Sequence, residues 1–157
     1  MKPVFAICLS MLLLVSTTSC RHGISRTISG DYMIIGRAGG FVGTQATTNY
    51  YLISGGTLKQ DTSVLSTLPP ADISGFNFNI TMPSSKYAAV KNLIYTIPSE
   101  LLSRNNAHIG GIYPDMGYTD VRTSINGTVY RWYFEGDQST SSIAIQQFFD
   151  SVQVVFR

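Results

Sequence analysis

The clearest hydrophobic pattern in the chain is a strict alternation of apolar and polar residues from Phe76 to Met82. Because successive side chains of a strand point to opposite faces, this alternation predicts a strand with one buried face. Shorter runs rich in β-branched and aromatic residues predict further strands. These strands are predicted at residues 31–37, 49–53, 57–61, 118–125 and 128–134.

Apolar residues at helical spacing predict two amphipathic helices. The first begins at residues 84–85, where a serine can cap it, and ends before Pro98. Residues 99–102 can add one further helical turn. The second helix begins near residues 141–142 and continues toward the end of the chain, where residues 154–156 could instead form an edge strand.

A two-residue hairpin turn is predicted at Asn126-Gly127, because both residues tolerate the positive φ of a type I′ turn. Residues 103–117 contain several Gly and Asn residues and are predicted to be irregular. Together the elements predict an α+β fold. Its antiparallel sheet has about five to seven strands, and two amphipathic helices pack on one face.

A different pattern begins the chain: Lys2 gives a positive start, residues 4–15 are almost entirely apolar, and small residues lead to Cys20. The apolar run is shorter than the roughly 18 residues that a membrane span needs, so it predicts a secretory signal. Cys20 occupies the place of the acylated cysteine in the lipobox of bacterial lipoproteins, which this segment resembles. The resemblance implies cleavage before Cys20 and acylation of its thiol and its new amino group.

The predicted organisation has three parts: a cleaved signal peptide at 1–19, a lipidated cysteine and tether at 20–30, and a single domain at 31–157. More than one acyl chain on Cys20 would hold the protein durably at a membrane. The tether has no aspartate directly after the cysteine. By resemblance to lipoprotein sorting rules, this implies an outer-membrane lipoprotein of the bacterial envelope that faces the periplasm.

The composition of the chain limits the classes of partner and site that we expect. Only 13% of the residues are charged, the net charge is +2, and the Lys and Arg residues are scattered, so no nucleic-acid partner is expected. Of the two cysteines, Cys8 leaves with the signal and Cys20 is the anchor. No thiol then remains for a disulfide or a zinc site, and no cofactor or metal site is predicted.

The strand at 128–134 suggests a binding surface. Tyr130, Trp132 and Phe134 share one face and are expected to point into the core, so Arg131 and Tyr133 point the other way. With residues of the partner strand they would form an exposed aromatic and charged face suited to a protein or peptide partner. A fully buried Tyr133 would remove this interpretation. The candidate face consists of Tyr118, Asp120, Arg122, Arg131 and Tyr133.

Two other functions stay open. A small hydrolase or metal-binding protein could use His108 with Asp115 or Asp120, and convergence of these residues with Glu135 around a pocket would favour it. No Gly-x-Ser-x-Gly elbow or calcium-loop motif accompanies them. The domain could also be a passive structural component of the envelope. A non-catalytic binding domain is the leading prediction.

Six short motifs follow one another along the chain. They are residues 31–36, Tyr51-Leu52-Ile53, Gly56-Thr57-Leu58, residues 98–102, Pro114-Asp115, and Trp132 near Glu135. In this order, behind a lipidated cysteine, they resemble a group of small lipoproteins of Gram-negative bacteria. The resemblance implies a membrane-anchored α+β domain and does not imply any particular reaction.

Overall fold

The computed structural model of the protein describes residues 30–38, 49–62, 70–111 and 117–157. The predicted signal segment, Cys20 and nearly all of the tether lie outside the described residues, and so does Asp115. None of the helices within the described ranges has the length and apolarity needed to cross a bilayer.

Strands and helices follow one another in the described residues as an α+β arrangement. The strands are β1 (Tyr32–Ala38), β2 (Tyr50–Ser54), β3 (Thr57–Asp61), β4 (Ile80–Thr81), β5 (Ala107–Gly110), β6 (Tyr118–Ile125) and β7 (Thr128–Glu135). The α-helices are α1 (Ser84–Val90), α2 (Ser99–Leu102) and α3 (Ile143–Gln153). Short 3₁₀ turns lie at Ile73–Gly75, Leu93–Thr96 and Val154–Phe156.

All seven strands belong to one sheet, in the order β4-β3-β2-β1-β6-β7-β5. The expected antiparallel arrangement is wrong at one edge, where β5 lies parallel to β7. The chain reaches β5 through the helical segment that follows β4, and β5 runs in the same direction as β7. The sheet is therefore mixed.

One face of the sheet forms the main core together with residues from the helices. Met33 and Ile35 of β1, Val121 of β6 and Trp132 of β7 belong to one buried cluster. Helical residues complete the same cluster: Val90, Leu93, Leu101, Ile145, Phe148 and Val152. The Nε1–H of the fully buried Trp132 donates to the Leu101 carbonyl oxygen at 2.9 Å, which ties β7 to α2.

Several predicted elements that depend on interactions between residues close in sequence are confirmed. Asn126 and Gly127 adopt φ of 49° and 79° in the turn between β6 and β7. The last helix begins directly after Ser142, whose side-chain oxygen accepts a hydrogen bond from the Ile145 backbone N–H. Its end is a 3₁₀ turn at Val154–Phe156, so the alternative edge strand there is wrong.

The alternating segment 76–82 forms a strand only at Ile80–Thr81. Phe76 is buried on the second face of the sheet, where its ring lies 4.8 Å from that of Tyr50, and Phe78 stacks on Phe76. An alternation of apolar and polar residues suits a segment that pairs along a sheet edge. It equally suits a segment that crosses a sheet face and buries its aromatic residues there. The predicted continuous strand is therefore wrong over residues 76–79.

The first predicted helix is also shorter than its apolar stripe indicates. It ends at Val90, and the chain continues through a turn into the 3₁₀ segment Leu93–Thr96. Asn92 has a low helix propensity and takes φ of −91° and ψ of −4° at this junction. Both Val90 and Leu93 are nevertheless buried, so the stripe faces the core across the break.

Candidate functional site

The second face of the sheet is divided into a covered half and a half that reaches solvent. Residues 70–79 lie against β2, β1 and β6, where Phe76 joins Ile34, Tyr50 and Leu52 in a small buried cluster. The other half is built on β6, β7 and β5. We call it the aromatic face, and it consists of Tyr118, Arg131, Tyr133, His108 and Glu135.

A buried carboxylate lies at the boundary between the two halves. Arg122 of β6 and Arg131 of β7 are directly opposite each other, a register at which like charges repel. Asp120 supplies a negative charge between them. Its carboxylate accepts hydrogen bonds from Nε and Nη2 of Arg122 at 3.0 and 2.8 Å. It accepts two more from Nε and Nη2 of Arg131 at 2.9 and 3.0 Å. The carboxylate thereby fixes both guanidinium groups.

Burial of the three side chains differs sharply. The exposed fractions are 0% for Asp120, 7% for Arg122 and 22% for Arg131. Burial of Arg131 would by itself lower its pKa, but the hydrogen bonds and negative charge of Asp120 outweigh burial and raise the pKa. Tyr50, whose hydroxyl contacts Asp120 at 3.4 Å, has its pKa raised by burial and then by the Asp120 charge. The array therefore holds Arg131 charged and Tyr50 neutral.

Tyr133 is the centre of the aromatic face and is contacted on several sides. The guanidinium carbon of Arg131 lies 4.7 Å from the ring centroid, within the range of a cation–π interaction. The His108 ring stacks on Tyr133 at 4.7 Å, and the Tyr118 ring meets it edge-on at 5.4 Å. The Tyr133 hydroxyl donates to Asn106 Oδ1 at 3.3 Å. These contacts hold a partly exposed tyrosine in one orientation.

His108 and Glu135 extend the aromatic face toward the edge of the sheet. The parallel pairing of β5 and β7 places His108 beside Tyr133, and His108 Nδ1 contacts Glu135 Oε1. The His108 side chain is 54% exposed and that of Glu135 is 13% exposed. Since a carboxylate only accepts hydrogen bonds, Nδ1 is the donor to Glu135.

The structure places some of the predicted binding residues at the surface and buries others. Tyr118, Arg131 and Tyr133 are partly exposed and contact one another, and Tyr133 is not fully buried. The predicted exposure is wrong for Asp120 and Arg122, which are buried. For Arg122 the reason is the covering segment: its Nη1 donates to the Ala71 carbonyl and its guanidinium lies over Phe76.

His108 was placed by sequence reasoning in an irregular loop and not on the binding face. The signal that could have located it is the alternation in Ala107–Gly110, where the apolar Ile109 is buried and its neighbour His108 is exposed. Such a short alternation is weak by itself. Only its pairing with β7 shows that His108 and Tyr133 are adjacent.

Of the alternative loop site, only His108 and Asp120 can be placed, since Asp115 lies outside the described residues, and these two are not adjacent. His108 and Asp120 both pair with Tyr133, from opposite sides, so they lie two strands apart with the tyrosine between them. Asp120 is also occupied by two arginines. In the described part of the chain, no group of three or more His, Cys, Asp or Glu side chains is placed to hold a metal ion.

Two cavities bordered by described residues lie elsewhere on the domain. One of about 260 Å³ is bordered by Tyr87, Lys91 and Tyr95, and one of about 330 Å³ is bordered by Asp137 and Phe149. Neither is lined by a residue of the aromatic face. The aromatic face is a broad surface with fixed rings and a charged end, which is the composition of a macromolecular contact. Comparison of the chain with protein-family models, with curated proteins and with solved structures finds no match.

Proposed function

We propose that the protein is a membrane-anchored envelope lipoprotein whose domain binds a protein or peptide partner through the aromatic face, without catalysis. Lipid on Cys20 would hold the domain at the outer membrane, and the tether would leave it in the periplasm. Helices on the opposite face of the sheet would stabilise the domain and leave the aromatic face for the partner.

The observation that carries the proposal is the fixed, partly exposed Tyr133. Tyrosine and arginine are the residues that most often supply binding energy at protein interfaces. Here Arg131, His108 and Tyr118 already hold the ring, so little side-chain entropy is left to lose when a partner binds. A preorganised ring of this kind is suited to recognition.

Crosslinking in cells tests the binding function. The acylated protein is crosslinked to its neighbours, which are identified by mass spectrometry, for the natural chain and for a Tyr133→Ala, Arg131→Ala double variant. Asp120 keeps its two hydrogen bonds to Arg122 in the double variant, so we expect the domain to fold. A specific neighbour should be lost.

The matched control is a Tyr95→Ala, Lys91→Ala double variant, which removes another tyrosine and cation from the surface. Tyr95 is 81% exposed and lies by the smaller cavity, away from the aromatic face. The control should keep the specific neighbour. Recovery of only abundant envelope proteins, in equal amounts from all three chains, would exclude the aromatic face and favour a passive structural role.

The anchor is tested separately. Cells grown with an alkyne analogue of palmitate should label the natural protein and not a Cys20→Ala variant. The variant should also leave the membrane fraction. Labelling that persists in the variant would show that Cys20 is not the lipid-bearing residue.

A further inference from the structure

The buried array beside the aromatic face carries unequal charge. Two guanidinium groups, on Arg122 and Arg131, share the single carboxylate of Asp120. Among the described residues, the carboxylate that raises the pKa of Arg131 is that of Asp120, and Tyr133 and Tyr118 also raise it. One positive charge of the array is therefore not neutralised within it.

Of the two guanidinium groups, that of Arg131 reaches the surface, while the charge of Arg122 also acts on the carboxylate of Asp72 and helps to lower its pKa. Arg122 is nearly buried and directs its Nη1 to the Ala71 carbonyl oxygen, whereas Arg131 has the largest exposed fraction of the three side chains. Nε and Nη2 of Arg131 both donate to Asp120. Its Nη1 has no acceptor among the described residues, so two N–H bonds remain for a ligand.

The neighbours of this guanidinium indicate what kind of ligand fits. Tyr133 lies under Arg131 and Tyr118 meets Tyr133 edge-on, which gives an aromatic surface next to a cation. A peptide can place a carboxylate on the cation and an apolar side chain on the rings. Glu135 lies four residues further along β7, roughly 13 Å away at strand spacing. Its negative charge disfavours a more highly charged anion on the same surface.

We infer that the aromatic face recognises a carboxylate of an acidic peptide segment, which accepts hydrogen bonds from Nη1 of Arg131 while the adjacent side chain packs on Tyr133 and Tyr118. The inference rests on the proposed function and names the chemistry of its partner. Asp120 acts as a positioning residue, because it fixes the guanidinium through Nε and Nη2 and leaves Nη1 without an acceptor among the described residues.

Peptide selection on the acylated protein in detergent tests the inference. Random eight-residue peptides are selected for binding, and the strongest binders are resynthesised with each Asp or Glu replaced by Asn or Gln. We expect acidic peptides to be enriched and the neutral versions to bind roughly tenfold or more weakly, the effect of losing a hydrogen bond to a charged group. Binding should also weaken as salt is added.

Two variants locate the carboxylate. Arg131→Gln should bind acidic and neutral peptides equally, while Arg131→Lys should retain part of the preference because it keeps the charge. Thermal melts of both variants establish that they are folded. A preference for acidic peptides that persists in folded Arg131→Gln would overturn the assignment to Arg131.

The outcomes separate the two proposals. Peptides that bind at Tyr133 with no dependence on their acidic residues would overturn the carboxylate inference and leave the binding function intact. No enriched peptide, or binding unchanged by Tyr133→Ala, would overturn the inference and count against the aromatic face as a peptide site. In that case the crosslinking comparison decides whether a folded protein partner uses the face.

Discussion

Replacing Asp120 with asparagine removes the one negative charge that lies between Arg122 and Arg131. The natural carboxylate accepts four hydrogen bonds from guanidinium nitrogens at 2.8–3.0 Å. Asparagine keeps one acceptor oxygen and turns an NH₂ group toward donors. The two arginines, opposite each other on β6 and β7, would then face each other without a counter-charge.

The expected loss of stability follows from burial. Removing one partner of a buried ion pair costs about 3–5 kcal/mol, chiefly because the other charge stays buried and unpaired. Arg131 is 22% exposed and can turn to water, whereas Arg122 is 7% exposed and its guanidinium lies over the Phe76 ring. We therefore expect the lower end of the range, about 3 kcal/mol, for Asp120→Asn.

Urea unfolding measures this loss, with the fluorescence of Trp132 as the probe, since it is the single tryptophan and is fully buried. A second variant, Asp120→Asn with Arg122→Met, also removes the buried Arg122 cation that the first substitution leaves unpaired, and it should recover part of the stability. Asp150→Asn, at an exposed position of α3, controls for the loss of one negative charge. A free energy of unfolding for Asp120→Asn within about 1 kcal/mol of the natural value would refute the reasoning.

Three further predictions concern other parts of the domain. Gly36→Ala would place a Cβ into the ring of Tyr50, so we expect a loss of about 2–3 kcal/mol in urea unfolding. Trp132→Phe removes the indole N–H that donates to the Leu101 carbonyl oxygen and leaves unfilled volume in the core, and a loss of about 2 kcal/mol is expected, measured by circular dichroism. Ser139→Ala removes the side-chain hydrogen bond that lowers the pKa of Asp137, so that pKa should rise in a carboxyl NMR titration.

Each of these three predictions has an outcome that would contradict its physical explanation. Gly55→Ala is the control for the first, since Gly55 has φ of +53° but open space around it, and about 1 kcal/mol is expected there. Equal losses at the two glycines would contradict a steric explanation at Gly36. An unchanged stability in Trp132→Phe would show that the hydrogen bond to α2 contributes little. An unchanged Asp137 pKa would mean that the Ser139 backbone N–H alone stabilises its carboxylate.

Sequence reasoning located the elements that local chemistry determines. The turn at Asn126-Gly127 and the strands on either side follow from two residues that accept positive φ between β-rich runs. The alternation in β7 likewise placed Trp132 in the core and Tyr133 on the opposite face. In both cases the deciding interactions lie within a few residues.

The remainder depends on contacts between distant segments. Burial of Arg122 is due to a chain segment some fifty positions away, since its Nη1 bonds to the carbonyl of Ala71 at a separation of 51. His108 joins the aromatic face only because β5 lies parallel to β7. The burial of Arg122 leaves no periodic signal in the sequence, and the position of His108 leaves only a short one. Two of the five residues predicted for the face, Asp120 and Arg122, are therefore buried instead of exposed, and two members of the aromatic face, His108 and Glu135, are not among the predicted residues.

The position of β1 in the sheet affects how the chain can fold. β1 comes first among the described strands but lies in the middle of the sheet, between β2 and β6. The Thr123 side chain bonds to the Tyr32 carbonyl 91 positions earlier. Pairings of such long range slow folding, because the entropy of closing the intervening chain is lost before the contacts form. During synthesis, one side of β1 therefore stays unpaired until β6 is made. A chain cut short before β6 would expose this strand as an unpaired sheet edge that other molecules can extend.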